Sequence, residues 1–103
     1  MADHSIDICP TFYQEDVALD GSTVLIGSPA VVWTLVAVLD ISGTAIISFS
    51  DDSTGYNPAH RLGKIVINGP DTDWNGFGKG WNLTRGLSCV SNFGSVDIWG
   101  VYE

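Results

Sequence analysis

Residues 30–41 read AVVWTLVAVLDI, an apolar run broken by a single charge at Asp40. The run is too short to span a bilayer, which takes about 20 residues, so it must be a strand or a buried helix. Val31, Val32, Val36, Val38 and Ile41 are β-branched, and turn formers flank the run, Ser28-Pro29 before it and Ser42-Gly43 after it. Branched side chains fit a pleated surface better than a helical turn, so a strand is predicted. Both of its faces are apolar. Such a strand lies centrally in a sheet or has its outer face covered by another chain.

The neighbouring segments extend the pattern. After Ser42-Gly43, TAIISFSDD at 44–52 alternates, with Ala45, Ile47 and Phe49 on one side and Ile46, Ser48 and Ser50 on the other, which predicts a half-buried hairpin partner. The same reasoning marks VAL at 17–19 and STVLIG at 22–27, joined at Asp20-Gly21, then GKIVING at 63–69. It also marks GLSCVSN at 86–92 and SVDIWGVYE at 95–103, joined at Phe93-Gly94. With a short strand near 79–84, the count reaches about eight strands and no substantial helix, an all-β antiparallel sandwich or barrel. Residues 1–16 lack clean periodicity and contain Pro10, so they are expected to be an N-terminal arm ordered by a neighbour, ahead of a single domain over 17–103. The segment DDSTGYNPAHRL at 51–62 is long for an unstructured connection, and such loops tend to be functional or mobile.

Charge narrows the partners. Twelve acidic residues stand against four basic ones, a net charge of −8, which makes duplex DNA and anionic membranes poor partners. Only 16% of residues are charged, against about 25% in an ordinary soluble domain. A surface so sparsely charged suggests partial coverage by other protein, hence an assembly component. The opening MADHSIDICP is polar and acidic, unlike a secretory leader, so a reducing cytoplasm and two free thiols are expected. Cys89 alternates with Leu87 and Ser91 and reads as a small buried hydrophobe.

Little in the chain suggests catalysis, and no enzymatic activity is expected. The two histidines fall in separate places, His4 in the arm and His60 in the long loop, and no G-x-S-x-G elbow occurs. His60, Arg61 and Tyr56 are instead candidate loop or interface residues. The pairs Asp51/Asp52 and Asp71/Asp73 could resemble a glycosidase pair by proximity, but Asp at strand ends commonly caps turns through local backbone hydrogen bonds.

The stretch DTDWNGFGKGWN at 71–82 carries the sharpest alternatives. Asp71, Asp73, Asn75 and Gly76 match the first half of a calcium loop. Continuing the count puts Lys79 at position 9 and neutral Asn82 at position 12, and the helices of an EF-hand are missing, so no metal or cofactor is expected and calcium stays an alternative. In extended chain, Gly76, Gly78 and Gly80 would lie on one face with Phe77, Lys79 and Trp81 on the other. Glycines in a strand allow close approach of another backbone. Trp74, Phe77, Lys79 and Trp81 are thus candidate interface residues, unless Trp74 and Trp81 simply plug the open end of the sandwich.

With the strands placed, residues 17–102 resemble the small all-β virion proteins of tailed bacteriophages, the decoration or cement proteins and related head and tail accessory components. The resemblance rests on DGSTVLIGSPAVVWTLVAVLDISGTAIISFSD and on the late GLSCVSNFGSVDIWGVYE. It implies a jelly-roll-like β-sandwich that assembles as an oligomer, often a trimer, and stabilises a capsid without chemistry. The implied partners are copies of itself and the major capsid protein or another virion protein, within a virion assembled in the host cytoplasm. The alternative is a carbohydrate-binding module or receptor-binding knob, with Trp74, Phe77 or Trp81 stacking on sugar rings and calcium at Asp71, Asp73 and Asn75.

Overall fold

The computed structural model describes residues 11–17 and 21–103. Strands β1 (Thr11–Gln14), β2 (Ser22–Ile26), β3 (Ala30–Ser50), β4 (Arg61–Leu83), β5 (Leu87–Ser91) and β6 (Val96–Tyr102) make one antiparallel sheet, and a single 3-10 turn, Pro58–His60, precedes β4. The strand order is β1-β6-β3-β5-β2, with β4 on the other edge of β3.

Two long strands organise everything else. β3 and β4 pair from Ala30↔Leu83 to Ser50↔Arg61, and both bend where Leu39↔Asp71 gives way to Gly43↔Gly69. There residues 40–42 oppose Pro70 alone, a bulge that sharpens the local twist. The bend needs a bare backbone at Gly69, because a Cβ there would overlap the Ile41 carbonyl oxygen. Phe93 packs over the same corner, against Gly43.

The other edge of β3 is shared. Its first part, Val32 to Leu39, pairs with β6, and its last, Ile47 to Ser50, pairs with β5. The sheet therefore folds over on itself as a nearly closed, barrel-like wall. One half is β1-β6-β3-β4, the other β2-β5-β3-β4. Alternation along each strand sends Phe12, Leu35, Ala37, Leu39 and Ile98 inward from the first half, and Ala45, Ile47, Phe49, Ile65, Ile67 and Cys89 inward from the second, into one core.

The all-β single domain holds, but its count and layering need correction. The chain makes six described strands rather than about eight, and one sheet bent double rather than the two sheets of a jelly-roll sandwich. The expected hairpin turn at Ser42-Gly43 is the bulge inside β3, and 63–69 runs on without a break into 71–83. Thr11–Gln14, placed in the arm by its pattern, is β1 at the sheet edge beside β6. Residues 1–10 and 18–20 lie outside the described residues, and with them the first ten residues of the arm, His4 and Cys9 included, and most of the strand expected at 17–19.

Candidate functional site

The register of the first half lines up a row of side chains across its outer face. Tyr13 pairs with Trp99, Trp99 with Val36, and Val36 with Trp74, so the row crosses β1, β6, β3 and β4 in turn. Directly paired residues project to the same face. Tyr13 is 63% exposed and Trp74 64%, while Val36 is fully buried yet stands apart from the main core. What buries it is the aromatic pair above: Trp74 and Trp99 meet edge to face, ring centroids 5.3 Å apart at 88°. The edge-to-face geometry sets the positive rim of one ring on the negative face of the other.

Acidic groups gather at the Tyr13 end of this row. Asp97 lies two residues before Trp99 on the same face of β6, and its Oδ1 accepts the Asp16 backbone N–H at 2.9 Å. Desolvation, then the carboxylates of Asp97, Glu15 and Asp16, push the Tyr13 hydroxyl pKa upward, the direction expected of a phenol in a negative field.

The opposite outer face, on the second half, is aliphatic. Ile46 and Val66 pair directly across β3 and β4 and are 37% and 49% exposed. Ile46, Ser48, Val90, Ser91 and Asn92 line a shallow depression of about 270 Å³ beside them. The Asn92 Oδ1 accepts the Ile46 N–H at 2.8 Å and fixes the lip of that depression.

DTDWNGFGKGWN is strand and not loop, and its alternation breaks partway. Between Val32↔Trp81 and Thr34↔Gly76, Trp33 alone opposes residues 77–80. Phe77, in step with inward Asn75, and Trp81, paired with core Val32, face inward on either side of this excursion and pack on the core with centroids 4.9 Å apart, while Trp74 stands outside. The three aromatics therefore do not share a surface. Gly80 takes φ +80°, and a Cβ on it would collide with Val31 and crowd Trp33. Phe77 and Trp81 also wall a cavity of about 150 Å³ with Leu35, Phe49, Ile65 and Asn75, which Trp74, the other residue of the expected plug, does not line. Lys79 is exposed on the excursion.

Asp71, Asp73 and Asn75 alternate along the extended β4 instead of wrapping a point. Asp71 Oδ1 accepts the Thr72 N–H at 2.8 Å, and the Asn75 amide reaches Asp73 at 3.4 Å. Among the described residues no group of three or more His, Cys, Asp or Glu comes together to hold a metal ion.

The long loop lies on the protein's own body. Buried Ser50 and Ser88 hold it down: the Ser50 Oγ accepts the Asn57 N–H at 3.1 Å, and the Ser88 hydroxyl donates to the Asp52 carbonyl at 2.8 Å. Ser22 Oγ accepts the Tyr56 N–H, and His60 Nδ1 meets Asp52 Oδ2 at 2.8 Å. That hydrogen bond to His60 is the main cause that lowers the Asp52 pKa. Arg61 opens β4 and is exposed.

Asp51 is the loop's principal anchor. Its carboxylate accepts from the Thr84 N–H and hydroxyl at 3.0 and 2.8 Å, from Arg85 N–H at 2.8 Å and from Gly86 N–H at 3.3 Å. Burial acts to raise its pKa, but these four donors outweigh it and hold the group at about 2. The capping expected of this aspartate is real, though it acts across the fold on the β4–β5 turn and not on its own neighbours. Cys89 lies buried against the core, and desolvation pushes its thiol up to about 12.

No protein-family model matches the chain, and no curated protein or solved structure matches it.

Proposed function

We propose that this protein is a non-enzymatic virion structural protein, a capsid decoration or cement protein that bridges neighbouring subunits of a shell. The observation that carries this reading is that large apolar side chains are exposed on both outer faces of the folded-over sheet. Tyr13 and Trp74 stand on one face, Ile46 and Val66 on the other. The two faces point away from each other across one core, so a single domain can touch two neighbours at once. Repeated over a lattice, contacts of standard size, about 1,600 Å² each, would add up to resistance against internal pressure. The low charged content and the resemblance to phage virion proteins point the same way. Partners on this reading are the major capsid protein and further copies of this chain, located in the virion.

The test is cosedimentation with purified particles of the parent phage, with light scattering of the protein alone. Attachment that is weakened by Ile46→Asp on one face or Trp74→Ala on the other is expected. A protein that stays monomeric and binds no particle would sink the idea. The exposed Trp74 ring also favours a second reading, a carbohydrate-binding module or receptor-binding knob. Binding to a glycan array that is lost in Trp74→Ala would select it over the first.

A further inference from the structure

We infer that the aromatic row of the first half is a docking platform for an arginine-bearing segment of a partner protein. This rests on the structural reading above and names the partner chemistry of one of its two faces. Three observations converge. Tyr13, Trp99 and Trp74 form a line across three strand spacings, about 14 Å at 4.7–4.9 Å each, enough for several residues of an extended segment. Fully buried Val36 supports Trp99 and Trp74 from below, so their rings are held without a partner, and a ligand meets a surface already formed.

The charge at the Tyr13 end of this face has one sign. Asp97 and the neighbouring Glu15 and Asp16 gather round Tyr13, whose pKa is raised first by desolvation and then by their field. Of the four basic residues, Arg61 and Lys64 lie on the second half and Arg85 in the β4–β5 turn; Lys79 belongs to the first half but sits on the β4 excursion beyond Gly76, across β6 and β3 from Tyr13 and its carboxylates. Aromatic faces beside carboxylates attract cations twice over, through the ring quadrupole and through direct Coulomb attraction. Guanidinium suits both, because its plane stacks on a ring while its fork of N–H groups meets a carboxylate, which an ammonium cannot match. A phosphate, sulfate or acidic peptide is repelled by the same field. A neutral sugar could stack on Trp74 but would draw nothing from the charge, so the arginine segment is favoured.

The experiment follows the Trp74 and Trp99 indole N–H signals by NMR during titration with a capped Gly-Arg repeat octapeptide. Gly-Lys and Gly-Glu repeats and cellohexaose serve as comparators. A saturable shift with the Gly-Arg peptide is expected, weaker with Gly-Lys and absent with Gly-Glu. Trp74→Ala should weaken binding about fivefold, and Glu15→Gln with Asp97→Asn should weaken it further and flatten its dependence on salt. Circular dichroism checks that each variant is folded. No saturable shift with Gly-Arg, or one indifferent to these variants, overturns the inference. Saturation by cellohexaose alone overturns it as well and gives the face to a glycan. Particle attachment that survives the Trp74, Glu15 and Asp97 changes but is lost in Ile46→Asp would overturn this inference and leave the virion reading standing; no attachment at all beside an intact Gly-Arg response would do the reverse.

Discussion

Trp74 on β4 and Trp99 on β6 touch edge to face at 5.3 Å, although β3 runs between their strands. They can meet because Val36, the residue of β3 that pairs with both, is short and lies fully buried beneath them. The two rings thus make a small second core on the outside of the sheet, and its stability can be measured separately from its binding.

Trp99→Ala should cost about 3 kcal/mol, the lower end for a large aromatic truncation, because Trp99 is half-buried over Val36. Trp74→Ala should cost only about 1 kcal/mol, mainly the lost ring contact. In urea melts of the single and double variants, the two effects should fall short of additive by about 1 kcal/mol. Full additivity would mean that the rings do not support each other.

Asp51 makes the acid limb of stability testable. Its folded pKa, about 2, is depressed below the value near 4 expected in an unfolded chain. The stability it contributes is therefore fully present above about pH 4 and is lost as pH falls from there through about 2. Asp52, also lowered, acts in the same direction. Asp51→Ala should destabilise the protein at pH 7 by about 1–2 kcal/mol, the lower part of the range for bonds to a charged group because water reaches this carboxylate. The variant should also show a shallower loss of stability between pH 5 and about pH 2 in thermal melts; an unchanged slope would show that Asp51 is not the anchor.

Cys89 should resist thiol reagents. A buried thiol raised to about 12 carries almost no thiolate at pH 8, and its side chain faces the core beside Phe49. In a Cys9→Ser background, labelling by a disulfide reagent should be undetectable in native buffer and should track global unfolding as urea is added. Rapid native labelling would contradict the burial.

Much of the fold could be read in the chain because single strands advertise themselves. Residues 30–41 are apolar on both faces; one face lies in the core, and on the other Val36 is buried beneath Trp74 and Trp99 while Thr34 and Val38 are only half-buried. Alternation also placed Cys89 inward. The failures are of connection. Ser42-Gly43 suits a hairpin turn and a bulge equally, and which one forms depends on whether the chain beyond it pairs back on 30–41 or onward with 61–69. Glycine and aspartate made 71–82 look like a loop, yet pairing with β3 keeps it extended. The site was half legible. Trp74 stood out by composition, but its partners Tyr13 and Trp99 are distant in sequence and become neighbours only through register. The one available hint was SVDIWGVYE, where alternation sets Asp97 and Trp99 opposite buried Ile98.

Glycines offer the most direct check on where the sheet bends. A Cβ at Gly69 would overlap the Ile41 carbonyl oxygen and press on Leu39, so Gly69→Ala requires the backbone of the corner to shift. Relief would have to come from β3, which is held on both edges up to Leu39, just before the corner, and the cost should reach about 3 kcal/mol, the upper end for an overpacked site. Gly76 and Gly78 belong to the same strand and look alike in sequence, yet a Cβ on either meets nothing within 4 Å. Gly76→Ala and Gly78→Ala should stay within about 0.5 kcal/mol of the parent. Parallel urea melts of the three variants decide the matter. If Gly69→Ala is as mild as the other two, the close approach of β3 and β4 at the corner is not there, and the folding of one sheet onto itself, on which both outer faces depend, would have to be redrawn.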